Sequence, residues 1–161
     1  MKIKFITTGG TIDKVYFDAR SEYEVGPPQV RDILKEGNVT DDFEVESVLA
    51  KDSLDLTDAD RQLVRRRIKA DPHSRIVITH GTDTMIETAL ALEGIPGKTL
   101  VLTGSMQPAR FRNTDAGFNI GVALGAVRTL APGVYIAMNG RIFHPGHCRK
   151  NRDQHCFEVI P

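Results

Sequence analysis

Short apolar runs alternate along the chain with stretches in which apolar residues recur every three or four positions. The runs at residues 2–7, 43–49, 75–79, 99–103 and 134–138 are β-branched-rich or almost continuously apolar, the pattern of strands covered on both faces. Helices are predicted between them. Residues 29–36 follow Pro27-Pro28, suited to a first helical turn, and stop at Gly37. Thr57-Asp58-Ala59-Asp60 has the form of a capping box with Asp in the Glu position, opening a helix to about Ala70 whose stripe is Leu63, Val64 and Ile68. Residues 84–92 and 115–130 complete the set, ended by Gly94 and Pro132. Strands alternating with helices in this way predict an α/β fold: a doubly wound, mostly parallel sheet in a single domain over residues 1–161.

Composition narrows the class of partner. Among 161 residues, 21 Lys and Arg balance 21 Asp and Glu, so the long-range attraction that nucleic acid or anionic membrane binding requires is missing. Arg65-Arg66-Arg67 reads as the solvated face of its helix. The longest apolar run, residues 121–127, is too short and glycine-broken to span a bilayer. The start Met1-Lys2-Ile3-Lys4-Phe5-Ile6-Thr7 lacks the apolar stretch and cleavage site of a signal peptide, and a cytoplasmic location is expected. Two cysteines make no disulfide scaffold.

Candidate chemistry gathers where three strands end. Thr7-Thr8-Gly9-Gly10-Thr11, Thr79-His80-Gly81-Thr82-Asp83-Thr84 and Thr103-Gly104-Ser105 each turn abruptly from apolar residues to hydroxyls and glycines. Ligands of open α/β sheets bind at the carboxyl ends of the strands, so the three turns are expected to line one pocket, with glycines letting backbone N–H groups approach a substrate. A phosphate loop or dinucleotide fingerprint would need spacings that do not occur here, and no cofactor is expected. A threonine beside two glycines is a nucleophile if something removes its proton, and Thr82-Asp83 sets a second hydroxyl beside a carboxylate.

Gly9-Gly10-Thr11-Ile12 and His80-Gly81-Thr82-Asp83-Thr84-Met85 together resemble the two signatures of the bacterial-type L-asparaginase/glutaminase family. Further matches run in order along nearly the whole chain: Tyr23-Glu24-Val25-Gly26, Asp52-Ser53, Thr103-Gly104-Ser105-Met106-Gln107-Pro108, Asp115 with Phe118-Asn119, and Met138-Asn139 followed by Lys150. The resemblance implies the family's N-terminal α/β domain, with a flexible lid between the first strand and Tyr23. It also implies hydrolysis of L-asparagine to L-aspartate and ammonia through threonine nucleophiles. Thr11 then resembles the lid-side nucleophile and Tyr23 its assistant, while Thr82, Asp83 and Lys150 resemble the second catalytic group. Ser53 and Asp83 resemble the holders of the substrate's α-carboxylate and α-ammonium, and Gly10, Gly81 and Ser105 line the same pocket. A lysine desolvated into its neutral form can accept a threonine proton, a service worth about a hundredfold to ten-thousandfold. Asp83 is ambiguous, because a carboxylate keeps a neighbouring lysine charged yet serves binding when it faces an ammonium.

Two departures bear on the substrate's amino end. The family usually carries a C-terminal domain that lends an acid to a neighbouring subunit's site, and the chain reaching only Pro161 resembles a short form without it or a truncated fragment. The position after the substrate-binding serine, commonly glutamine, is Leu54. A homo-oligomer, dimer or tetramer, is expected to cover the surface the second domain would cover, with Glu158 as a candidate acid from a neighbour. Other readings stay open: a non-catalytic small-molecule or anion-binding module using the same pocket, and a subunit of a tRNA-dependent amidotransferase, whose basic surface is lacking here. His144, His147, Cys148, His155 and Cys156 crowd the tail without a recognised metal spacing, and no metal site is expected. His80 reads either as a general base or as a structural hydrogen-bonding histidine.

Overall fold

The computed structural model describes residues 2–160; Met1 and Pro161, the ends of the expected domain, lie outside them. A six-stranded sheet forms the centre. Its strands are β1 (Ile3–Gly9), β4 (Phe43–Lys51), β5 (Arg75–Thr79), β6 (Thr99–Thr103), β7 (Gly133–Met138) and β8 (Arg141–Phe143), in the spatial order β4-β1-β5-β6-β7-β8. The first five run parallel and β8 is antiparallel to β7. Two hairpins stand apart from it: β2 (Lys14–Phe17) with β3 (Glu22–Val25), and β9 (Cys148–Asn151) with β10 (Cys156–Val159).

Alternation along each strand divides the core in two. Ile3 and Phe5 of β1, Val77 of β5 and Val101 of β6 meet α1 (Val30–Glu36) and α4 (Ala116–Thr129) through Val30, Leu34, Ile120 and Ala123. On the other face, Ile6, Ile76, Ile78, Leu100 and Leu102 meet α2 (Asp58–Ala70) and α3 (Met85–Leu92) through Val64, Ile68, Met85 and Leu92. Burying one such aliphatic side chain contributes about 1.5–3 kcal/mol, so the two layers carry the stability of the fold.

The capping box forms in both halves: Asp60 N–H donates to Thr57 Oγ1 at 3.2 Å and Thr57 N–H to Asp60 Oδ2 at 2.9 Å. Two expectations are corrected. β4 is not covered on both faces but only partly buried, because it is the sheet edge. Pro27-Pro28 precede α1 rather than forming its first turn; Gln29 is the cap residue, and its N–H goes to Asp13 Oδ1 at 2.8 Å. Gly37 ends α1 as expected, at φ −74°, with the left-handed turn on Asn38 at φ 49°.

The order β4-β1-β5-β6-β7 is the 2-1-3-4-5 winding of an open sheet, whose switch point lies between the first and third parallel strands. Those strands are β1 and β5. Their carboxyl ends carry Gly9-Gly10-Thr11 and His80-Gly81-Thr82-Asp83.

Candidate active site

Glycine draws the strand ends together. A Cβ on Gly10, at φ 85°, would lie 2.3 Å from Gly81 N, and one on Gly9, at φ 99°, 2.5 Å from Lys51 O. A Cβ on Gly81 would meet Ser53 Oγ at 2.6 Å. No side chain fits between the turns after β1, β4 and β5. The glycines therefore serve the approach of turn to turn, a use that the sequence reading assigned to the substrate.

Thr11 opens a 3₁₀ turn, Thr11–Asp13, that is tied on three sides. Gly26 N–H donates to Asp13 O at 2.8 Å, Ala109 N–H to Ile12 O at 3.1 Å, and Gln29 N–H to the Asp13 carboxylate. Asp13 is 2% exposed, and burial pushes its carboxyl up to about 6 against the pull of the Gln29 N–H. The sequence reading missed this acid, although its place directly after Thr11-Ile12 was a signal. The segment expected as a lid is the β2–β3 hairpin, held at its base by these bonds. Tyr23 lies on it, paired in register with Tyr16, its ring packed on Tyr16 and Phe111 with centroids 5.4 and 5.6 Å away. The ring is half exposed, and among the described residues no hydrogen bond joins it to Thr11.

Lys150 arrives from the opposite side on β9. Phe157 of β10, buried against Phe143, anchors that hairpin in the core, and Phe157 N–H donates to Asn139 Oδ1 at 2.9 Å. Lys150 Nζ then reaches Thr82 Oγ1 at 2.7 Å and Asp83 Oδ1 at 2.9 Å. Arg152, which the sequence reading did not single out, stands 3.4 Å from the same Asp83 oxygen. The same contact of Lys150 with Thr82 serves in either direction: an ammonium donates to the hydroxyl oxygen, and a neutral amine accepts its proton.

Ser53, 1% exposed, sits in the turn after β4, where Thr84 Oγ1 donates to its carbonyl at 2.7 Å. Leu54 beside it is 66% exposed. Asp52 takes Lys14 at 2.7 Å, and that hydrogen bond holds its carboxyl below the usual range. Ser105 is buried and gives its hydroxyl to Gln107 O at 2.5 Å, within a loop fixed by Asp115, whose carboxylate accepts from the Met106 and Gln107 amides and from Asn119 Nδ2.

His80 is wholly buried and structural in its bonding. Its Nδ1 lies 2.6 Å from Gly81 O, which only accepts, so Nδ1 carries the proton. Nε2 then accepts from Thr88 Oγ1 at 2.7 Å, and that oxygen accepts from Arg61 Nε at 3.2 Å. Burial pulls the ring down to about 4. Glu158, the acid proposed for a neighbour's site, is engaged at both oxygens, by Arg149 Nε at 2.7 Å and Asn151 Nδ2 at 3.2 Å, and so is not free for that role. Among the described residues, no three His, Cys, Asp or Glu side chains are grouped to hold a metal, and no helix is long and apolar enough to cross a membrane. A cavity of about 560 Å³ lies between α1 and Ala109-Arg110, and the residues lining it include none of the strand-end residues.

A doubly wound sheet with threonines, a lysine and an aspartate at its switch point defines a class, and comparison with known proteins gives the family. The profile described as "Asparaginase, N-terminal" matches residues 2–159, and the chain belongs to that family. It is 34% identical over 154 residues to an L-asparaginase of Thermococcus kodakarensis, a match covering 88% of this chain and 45% of that protein. A solved structure, "The thermostable L-asparaginase from Thermococcus kodakarensis", superposes with a TM-score of 0.87 at 31% identity, over 99% of this chain and 51% of the other. A glutamyl-tRNA(Gln) amidotransferase subunit of Methanococcus maripaludis is 28% identical over 155 residues, covering 86% of this chain and 35% of that protein. The chain spans about half the length of these L-asparaginases.

Proposed function

We propose that residues 1–161 form a catalytic domain that hydrolyses the side-chain amide of L-asparagine to L-aspartate and ammonia through threonine nucleophiles, with neither metal nor cofactor. The observation that supports this best is Lys150 Nζ within hydrogen-bond reach of both Thr82 Oγ1 and Asp83 Oδ1. In the reaction a threonine oxygen bonds to the amide carbon and Lys150 receives the hydroxyl proton. The C–N bond then breaks, the nitrogen leaves as ammonia with that proton, and water hydrolyses the remaining ester with the same base. Thr11 and Thr82, on turns drawn together by Gly10 and Gly81, approach the amide from either side, with Tyr23 on the hairpin above and Ser53 and Asp83 toward the substrate's carboxylate and ammonium. A base so placed contributes about a hundredfold to ten-thousandfold.

The site works in a cytoplasmic homo-oligomer on this reading. Phe118 on α4 and Ile142 on β8, 63% and 41% exposed, are apolar surface that a second copy covers. Leu54 offers no polar atom toward the amino end, so the longer, freer glutamine is held less well than asparagine. The test is ammonia release from asparagine and glutamine side by side, before and after dialysis against a chelator. Release from asparagine, faster than from glutamine and unchanged by chelator, is the expected result. Binding of asparagine without release favours a binding module, and activity restored only by zinc overturns the metal-free reading.

A further inference from the structure

We infer that the site accepts anionic side-chain amides lacking an α-ammonium at least as well as L-asparagine, with Arg152 setting that preference. The inference rests on the amidohydrolase reading and deepens it. Asp83, the group placed toward the substrate ammonium, carries two cations on one oxygen: Lys150 at 2.9 Å and Arg152 at 3.4 Å. Arg152 follows Lys150 by two residues on the same hairpin, so whatever brings in the lysine brings in the arginine. The neighbouring acid, Asp52, is paired with Lys14 at 2.7 Å and also feels the charge of Lys150. With Lys150 as an ammonium the rim sets three cations against two carboxylates, and with Lys150 neutral, as the base, Lys14 and Arg152 still match both carboxylates, so no net negative charge is left for an ammonium. Leu54 adds no acceptor, and Glu158 on the hairpin is bonded to Arg149 and Asn151.

An incoming α-ammonium must share Asp83 with Lys150 and Arg152, both of which stand on Oδ1, and sit among like charges. A substrate with a carboxylate and no ammonium needs no place beside Asp83 and loses nothing by the cations already there. Arg152 is 70% exposed, so the effect is modest, about threefold to fivefold.

The test compares kcat/KM for succinamate, the des-amino analogue, with that for L-asparagine, in the wild-type protein and in Arg152→Gln. Succinamate at or above asparagine, and a shift of about threefold or more toward asparagine in Arg152→Gln, are expected, with Arg152→Lys keeping the wild-type ratio. Asparagine leading by more than about tenfold, or a ratio that Arg152→Gln leaves unmoved, overturns the inference. Calorimetric binding of succinate and L-aspartate separates this outcome from failure of the amidohydrolase reading. If neither amide is hydrolysed that reading fails, and tighter binding of aspartate than of succinate overturns the inference as well.

Discussion

Two lysines mark opposite ends of the sheet. Lys4, near the start of β1 and 3% exposed, is ringed by Glu44 at 2.7 Å, Glu46 at 2.8 Å and Asp71 at 3.4 Å, and these acids are engaged in turn by Lys2, Arg67 and His73. Burial alone would lower its amine; the hydrogen bonds and charges of Glu44, Glu46 and Asp71 outweigh that and hold it above the ordinary lysine value. Lys150 at the carboxyl end shares a single carboxylate with Arg152 and spends its other contact on a hydroxyl. A lysine satisfied on every side fixes structure. One bonded to a proton-bearing oxygen and a shared acid is placed to move a proton.

The sharpest way to break the contrast is to remove each lysine. Lys150→Met should lower kcat/KM about a thousandfold or more with folding intact, as should Thr11→Ala and Thr82→Ala, and the double threonine variant should be little worse because such groups act as a unit. Lys4→Met should leave kcat/KM nearly unchanged and cost about 1–3 kcal/mol of stability, since Asp71 and Glu46 would lose their buried partner. Turnover above a tenth of wild type in Lys150→Met would remove the distinction.

How much of this was legible beforehand follows the same division. The five parallel strands and four helices came through because short apolar runs and period-3.6 patterns are local, and the ordered threonine and glycine turns marked three neighbouring strand ends. What was missed lies outside the apolar runs or depends on contacts distant in sequence. The β2–β3 and β9–β10 hairpins are short and lie outside the central sheet, and the pairing of Arg152 with Asp83 crosses 69 positions. β8 had a local signal that was passed over: Asn139-Gly140, at φ 54° and 75°, is the two-residue loop that favours a hairpin. Asp13 was missed because burial, not residue type, makes it unusual.

The carboxyl end should also respond differently to acid. Asp13, raised to about 6, is a cost that appears as pH rises from about 4 to 6, because the unfolded chain ionises there while the fold resists. His80, lowered to about 4, does the reverse: its contribution is full above about 6.5 and fades as pH falls toward 4. Each is worth about 3 kcal/mol, and over the shared window they offset. Asp13→Asn keeps an acceptor for Gln29 N–H and should expose the His80 slope, giving a protein whose stability in urea climbs steadily from pH 4 to 6.5. The amino end adds its slope lower down, since Glu46 and Asp71 are held below the usual carboxylate range and their contribution, full above about pH 5, is lost as pH falls through about 4 and below. A flat profile in Asp13→Asn would mean that one of the two buried groups is not perturbed as described.

The smallest effect concerns two hydroxyls just beneath the crevice. Thr7 and Thr79 are register partners on β1 and β5, both at most 1% exposed, and their Oγ1 atoms have no hydrogen-bond partner among the described residues. Neighbouring hydroxyls are satisfied: Thr8 Oγ1 donates to Thr79 O at 2.9 Å and Thr103 Oγ1 to Ala137 O at 2.8 Å. A buried hydroxyl without a partner costs about 1–3 kcal/mol, and valine has nearly the same shape without the polar atom. Thr7→Val and Thr79→Val should therefore each raise stability by about 0.5–1 kcal/mol, a gain of about 1–4 °C in Tm, while kcat/KM stays as it was. Around Lys4, where each of the three acids also has a second partner, no single polar-to-apolar exchange should give such a gain. Loss of stability in Thr7→Val would show that its hydroxyl is bonded after all and that the two ends of the sheet are equally well satisfied.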